Sequence, residues 1–375
     1  MDKSKVIENI HTTGFVLEYK VSQLLEKNGW NVINNRYYLD DIQLKNREID
    51  IVAYKTNKVE GITYYTSLII SCKKSAEDMW SFLTKGVNQR DPNINICPIW
   101  NWTNDSILQF MLDEGIEDRV WELTSDNDDL DFVYGINDQV FAYQQLNKNK
   151  NYSTNNDKQI YGSIESTIKA LEYEKGTLDK RRDNKALYNF NLLSIFDGDM
   201  VKIHFDDGEE TVEEIDEIKY LNRLIFNGNE GFYRVHFLKF DKMEEYIKHF
   251  NKLTDWNVKF YADLIEKYYE TFTEYEDNKG VELLLNQFER NVRWCLSSSS
   301  DYHIDKITLK YDSKEQVMEV GVNCSEGSRA VNREIVEEFN GNGDVIEQVK
   351  AELKELYRYE GEVRFEDYDF LKLPF

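Results

Sequence analysis

The stretch Leu68-Ile69-Ile70-Ser71-Cys72-Lys73-Lys74 runs from a continuous apolar centre into two lysines. Together with the β-branched and aromatic residues before it, it predicts a buried strand over Tyr64–Cys72. A period of two places Ser71 and Lys73 on the same face at the end of that strand. Taken alone, Lys73 is a lysine that ends a strand. A second stretch, Arg47-Glu48-Ile49-Asp50-Ile51-Val52-Ala53, alternates like a strand. Ile49, Ile51 and Ala53 fall on one face, Asp50 and Val52 on the other. The second face is therefore partly apolar, and Asp50 is either a sheet-end acid paired with Arg47 or a lysine, or a member of a polar site. An aspartate beside a lysine on the neighbouring strand is an arrangement suited to metal-dependent hydrolysis. The carboxylate holds a divalent cation that lowers the pKa of bound water, and the ammonium orients that water and offsets charge developing on phosphate.

Working outward, Gly14–Asn28 reads as an amphipathic helix, with Phe15, Leu17, Val21, Leu24 and Leu25 at helical spacing. Thr12 or Thr13 can cap it and Gly29 ends it. Glu18 sits beside the apolar stripe, three residues before Val21 and seven before Leu25. Such a carboxylate either reaches water at the rim or needs a partner, a hydrogen bond or a metal. Trp30, Val32 and Ile33 begin an extended stretch. Ser75–Lys85 is expected to be a helix with Ser75 as its cap, and Asn95–Trp100 a strand. The order predicts an α/β fold with a sheet between helices.

The polar segment Asn147–Asp157 reads as a loop, followed by a helix near Ile164–Glu174. The hydrophobic run Asn189–Phe196, the turn Asp197-Gly198-Asp199 and Val201–Phe205 predict a hairpin. A strand over Phe232–Phe240 and a helix over Met243–Leu253 follow. The character changes near Thr254. Trp256–Tyr275 and Val281–Leu296 read as long helices, Lys306–Tyr311 and Gln316–Asn323 as strands, Val345–Tyr357 as a helix and Glu362–Phe365 as a last strand. Two domains are expected: residues 1–253, with a core at 10–100, and an α+β module at 254–375.

The 375 residues are 41% hydrophobic and 14% aromatic, enough for a substantial core. No apolar run reaches the roughly 18 residues of a membrane helix, and the N-terminal residues lack a signal-peptide run. A cytoplasmic protein without membrane contact is expected. Cys72, Cys97, Cys295 and Cys324 form no CxxC pair, and no zinc spacing, phosphate loop or GxSxG elbow occurs. The net charge of −24 is uneven. Residues 1–100 carry 13 Lys/Arg and 12 Asp/Glu, whereas residues 101–375 carry 33 and 58. The acidic remainder is a solvated face, a docking surface for a basic protein partner, or a surface that keeps DNA off all but one side.

The order of these features carries a family resemblance: a helix with Gly14 and Glu18, then Gly29-Trp30-Asn31-Val32, then Asp50 in a strand, then Cys72-Lys73 at the end of the next. This resembles the PD-(D/E)XK, restriction-endonuclease-like nucleases. Lys74-Ser75, Trp80-Ser81-Phe82 and, more loosely, Asn191-Leu192-Leu193 to Phe196-Asp197-Gly198 resemble one branch of that superfamily. The resemblance implies a mixed sheet flanked by helices, a Mg²⁺ or Mn²⁺ cofactor, DNA as substrate, a role in defence against foreign DNA, and the homodimer that nucleases cutting both strands often form. It implies that Asp50 is the main metal ligand, the Cys72 carbonyl another, Lys73 the catalytic lysine, and that Glu18 completes the site. Ser71 departs from the pattern, since the family usually has Glu, Asp or Gln there, and a hydroxyl is a poor Mg²⁺ ligand. Three readings follow. The site is active but weaker; Glu77, at the start of the expected helix, or Glu48 stands in as the metal-binding acid; or the module is an inactive relative kept for binding or assembly.

Overall fold

The structure, a computed structural model, describes residues 1–11, 13–40, 45–115, 128–226, 229–324 and 329–367. Its contacts fall into two units, one formed by residues 1–105 and 112–261, the other by 106–111 and 262–375. Both mix helix and strand.

The first unit opens with α1 (Lys3–His11) and α2 (Gly14–Lys27), then β1 (Asn31–Asp40), β2 (Lys45–Val59), β3 (Ile62–Lys74), β4 (Asp78–Lys85) and β5 (Trp100–Thr103). In chain order α3 (Ser106–Asp113), most of which belongs to the second unit, comes next, and α4 (Asp128–Tyr134), β6 (Gln139–Asn147), β7 (Ser153–Thr154) and α5 (Lys158–Arg181) of the first unit follow. β8 (Ala186–Asp197), β9 (Met200–Asp206), β10 (Glu209–Glu214), β11 (Glu217–Phe226), β12 (Asn229–Lys239) and α6 (Met243–Thr271) complete the series, α6 continuing into the second unit. A seven-stranded sheet has the order β1-β2-β3-β8-β12-β11, with β5 also on β8. A five-stranded sheet has the order β10-β9-β4-β6-β7.

β1, β2 and β3 form an antiparallel meander, and β8 lies parallel to β3 after a crossover that contains α5. The β2–β3 turn, Glu60-Gly61, has positive φ at both residues, the backbone that tight two-residue hairpins require. β8 is buried at every position from Ala186 to Phe196, as a central strand with parallel neighbours should be. The buried face of α5, including Ile160, Ile164, Ile168 and Leu171, packs with Val52, Ile69, Leu192 and Val235 in one hydrophobic core. Burying such a side chain stabilises the fold by about 1.5–3 kcal/mol.

Several local expectations change in three dimensions. Ser75–Lys85 is not a helix: Asp78–Lys85 is strand β4, held between β6 and β9. Trp80, Ser81 and Phe82 are all buried, so the alternation that marks a one-sided strand is missing. Ser75 caps a turn instead, its Oγ accepting from the Asp78 N–H at 2.9 Å. β8 and β9 are not a hairpin, since they belong to different sheets. β9 runs parallel to β4, so the chain leaves the large sheet twice, at β3–β4 and β8–β9, along parallel paths. Trp80 stacks on Phe196 at this crossing, with centroids 3.8 Å apart. Gly198 is required there, because a Cβ would stand 2.7 Å from the Ser75 carbonyl oxygen.

The strand expected at Asn95–Trp100 occupies Trp100–Thr103. The helix break expected at Thr254 is absent, since the Thr254 hydroxyl bonds the Phe250 carbonyl within α6. Thr13 holds the N-cap position of α2, but its hydroxyl donates to Ile10 O and caps nothing; Thr12 lies outside the described residues.

In the second unit, the expected long helix over Val281–Leu296 is split into α7 (Lys279–Glu282) and α8 (Leu285–Ser298). β13 (Ile304–Asp312), β14 (Val317–Cys324), α9 (Arg329–Gly341), α10 (Gly343–Tyr357) and β15 (Glu362–Asp367) follow. The strands form one sheet, β13-β14-β15, with the second pair parallel. Gly280 is packed against the Phe272 carbonyl, leaving no room for a Cβ.

In the first unit, the buried His236 on β12 pairs with the half-buried Glu217 on β11, with Nε2 and Oε2 2.5 Å apart. Burial pushes the imidazole down to about 4, against the pull of Glu217. Burial alone would raise Glu217, but His236 and Lys219 hold its carboxyl below the ordinary range. An unfolded chain therefore takes up a proton between about pH 6.5 and 4 that the folded chain refuses, and folding stability falls as pH drops through that window. Glu217 extends the loss below it. Urea unfolding at stepped pH should show this pair contributing on the order of 2 kcal/mol to the loss. His236→Gln should flatten the slope above pH 4, and an unchanged slope would refute the assignment.

Candidate active site

Three elements of the first unit converge on one end of the β1–β3 meander. α2 packs against all three strands and brings Glu18 to them. β2 supplies Glu48 and Asp50, and β3 supplies Ser71, Cys72 and Lys73. The ladder pairs Ile51 with Ile70, which sets Asp50 across from Ser71 just beyond the last paired residues.

Asp50 is bound tightly to β3. Its Oδ2 accepts the Cys72 backbone N–H at 2.7 Å, the Ser71 hydroxyl at 3.2 Å and the Lys73 ammonium at 3.4 Å. The carboxylate thus takes the place of a further ladder partner and satisfies a backbone donor that the sheet leaves open. Lys73 Nζ also donates to Ser71 Oγ at 2.8 Å and to the Cys72 carbonyl at 3.2 Å. Ser71 and Lys73 share a face, as period two requires. Ser71 is 2% exposed, while the side chains of Lys73 and Asp50 keep 29% and 22% of their surface, so the site opens to solvent at its charged end. The Cys72 side chain is buried, and burial, with Asp50 and Glu18 nearby, pushes its thiol well above the ordinary range. It is a packed thiol and not a nucleophile.

Glu18 faces the same corner. Burial, then Asp50, then Glu48 push its carboxyl above the ordinary range, while Lys73 and a hydrogen bond from Asn35 work the other way. Asn35 was not singled out in the sequence, yet it lies across from Asp50 in the β1–β2 ladder, between the pairs Asn34–Ile51 and Arg36–Ile49. Its φ of 52° is left-handed, a conformation asparagine tolerates better than most residues. Its Nδ2 donates to Glu48 Oε1 at 2.7 Å. The regular alternation expected for β2 fails beside it. Ile49 and Val52, three residues apart, both join the core under α5, whereas strict alternation puts them on opposite faces. The left-handed Asn35 stands opposite this break, and its sequence signal is an Asn-Asn pair inside an extended stretch.

Glu77 does not join the site. The helix expected to present it is absent; it lies exposed in the bend before β4, and its carbonyl accepts the Lys148 N–H. No hydrogen bond or ion pair links its side chain to Asp50, Glu18 or Lys73. The carboxylates that act on Glu18 are Asp50 and Glu48.

Asp50, Glu18 and the Cys72 carbonyl offer oxygen donors of the kind Mg²⁺ or Mn²⁺ takes, with no nitrogen or thiolate for zinc. Among the described residues, no three His, Cys, Asp or Glu side chains form a ready metal cage. Mg²⁺ keeps much of its water and is often held by one or two carboxylates, so this donor set fits it without a cage. The upward push on Glu18 comes first from burial and then from the neighbouring Asp50 and Glu48 carboxylates.

That push has a sign. An acid whose folded pKa is raised costs stability at every pH above its unfolded value, because the folded state must hold an unwelcome charge. Glu18→Gln should therefore raise the thermal midpoint at pH 7 without divalent cations, by about 1–3 °C, and abolish any stabilisation by added Mg²⁺ or Mn²⁺. A lowered midpoint in metal-free buffer would show that Glu18 is stabilised where it stands.

No protein-family model, no curated protein and no solved structure matches the chain.

Proposed function

We propose that this protein is a metal-dependent nuclease that hydrolyses DNA phosphodiester bonds, with a restriction-endonuclease-like first unit. The observation that carries the reading is the position of Asp50. Its carboxylate meets the end of β3 where Ser71, Cys72 and Lys73 present a hydroxyl, a carbonyl and an ammonium. The order α2, β1–β2–β3 meander, α5 and β8 parallel to β3 supports the fold assignment. A divalent cation held by Asp50, Glu18 and the Cys72 carbonyl would supply an activated water and neutralise charge on the phosphate. Lys73, which contacts Asp50 and the Cys72 carbonyl, would orient such a water and offset the developing charge. Ser71 holds the lysine and the aspartate in register through its hydroxyl.

The net charge of −24 means that bare duplex is repelled by most of the surface. DNA binding should therefore need Mg²⁺ or a partner and weaken steeply with salt. No helix among the described residues is long and apolar enough to cross a membrane. A cytoplasmic site of action and a role against foreign DNA belong to the same proposal.

A second reading has its own observation. Ser71 removes the acid that would normally share the metal, and Lys73 already engages Asp50. On this reading the first unit is a catalytically inactive nuclease-like module, and the acidic remainder docks a basic protein partner.

The discriminating experiment is cleavage of plasmid and linear DNA with Mg²⁺ and with Mn²⁺. Asp50→Ala and Lys73→Ala should each cut about 10²–10⁴-fold more slowly than wild type. Absence of cutting by folded wild-type protein with either metal would favour the binding module, and cutting that survives both substitutions would place the active site elsewhere.

A further inference from the structure

We infer that the Lys73 ammonium and a divalent cation compete for one set of oxygens, so that Lys73 closes the metal site until it is drawn away. The inference rests on the metal-dependent reading above and concerns how the same site is regulated.

Lys73 Nζ lies 2.8 Å from Ser71 Oγ, 3.2 Å from the Cys72 carbonyl oxygen and 3.4 Å from Asp50 Oδ2. An ammonium has three donors, and three oxygens receive them here. Two of those oxygens belong to the groups that would bind the cation. A divalent ion and an ammonium repel each other when they approach the same oxygens, and the repulsion is only partly screened at a half-buried corner. Ser71 sets the balance. Its neutral hydroxyl accepts from Lys73 and donates to Asp50, bridging the two without adding negative charge. A carboxylate at that position would have supplied enough charge to hold lysine and cation together.

The consequence is a coupling between substrate and metal. A phosphate offers the ammonium a charged acceptor in place of a neutral hydroxyl and carbonyl and draws the flexible lysine stem outward. That frees Asp50 and the Cys72 carbonyl for the cation. By linkage, a phosphodiester and the cation then strengthen each other's binding. The neighbouring Lys74 provides an internal control. Its ammonium is held by Asp197 at 2.6 Å, away from these oxygens, although it is one residue along the chain.

The test is calorimetric titration of the full chain with Mn²⁺ in the absence of DNA. Lys73→Met, and Lys73→Ala as a check on packing, should tighten Mn²⁺ binding by about tenfold or more, because a charge-assisted competitor is removed. Lys74→Met removes the same charge from the same neighbourhood and should change affinity by less than about threefold. Asp50→Asn should abolish binding in the wild-type and Lys73→Met backgrounds alike. Equal tightening by the Lys73 and Lys74 variants would reduce the effect to the general field and overturn the competition. Unchanged or weaker binding by Lys73→Met would overturn it too, while leaving the metal site in place if Asp50→Asn still abolishes binding. Mn²⁺ binding that survives Asp50→Asn, or no binding by any variant, would remove the metal reading itself and the inference with it.

Discussion

The first unit depends on the pairing of β3 with two neighbours at once. β2 fixes it from one side in an antiparallel ladder, and β8 from the other in a parallel one. A one-residue slip in either ladder would turn every side chain of β3 to the opposite face. Such a slip would take Ser71, the Cys72 N–H and Lys73 away from the Asp50 carboxylate. The constraint fixes the direction of Ser71 and Lys73, and it fixes Asp50 across from them. It also forces the ends of β3 and β8 to leave the sheet side by side. The Ser75 N–H bonds Asp197 O, the Trp80 N–H bonds Asp199 O, and β4 and β9 continue as a parallel pair in the second sheet.

The chemistry of the site follows from where that constraint ends. Charges are costly inside a core and cheap in water. Asp50 and Lys73 stand at the boundary, where a buried ladder gives out and a backbone N–H still needs an acceptor. Asp50 meets that need, so part of its role is structural whatever it binds. Glu18 and Glu48 add negative charge to the same corner, and Asn35 keeps Glu48 in place with a neutral donor. Lys73 offsets part of this charge, and it lies among the oxygens of Ser71, Cys72 and Asp50. A serine at position 71 thus changes more than the count of acids, because its neutral hydroxyl bridges Lys73 and Asp50.

Much of this was legible because it is local. The buried run before Ser71 and the alternation around Asp50 predict adjacent strands from side-chain periodicity alone, and both strands exist. The helix carrying Glu18 was equally clear, since Leu17, Val21 and Leu25 are buried on one stripe. Illegible features share a different cause. β4 lies between two strands, so burial on both sides erased the alternation that would have distinguished it from a helix. The turn Asp197-Gly198-Asp199 was correctly a turn, but nothing local says that the next strand joins a different sheet. Glu77 is close to Lys73 by residue count, but its place in the site depended on a helix, and Asp78–Lys85 is a strand.

The amino-acid sequence by itself determined the buried strand β3, the positions of Asp50, Ser71 and Lys73 along their strands, and the helix that presents Glu18. These rest on hydrophobic periodicity, which acts over a few residues. Only the tertiary structure decided that Asp50 caps the Cys72 N–H, that a left-handed Asn35 stands opposite it, that Glu48 and not Glu77 joins the corner, and that Lys73 occupies the oxygens beside it. Those outcomes depend on ladder register, on a left-handed residue in the partner strand and on unpaired charge. Apart from the bonds of Lys73 to Ser71 and Cys72, each is a contact between strands, which no local pattern encodes.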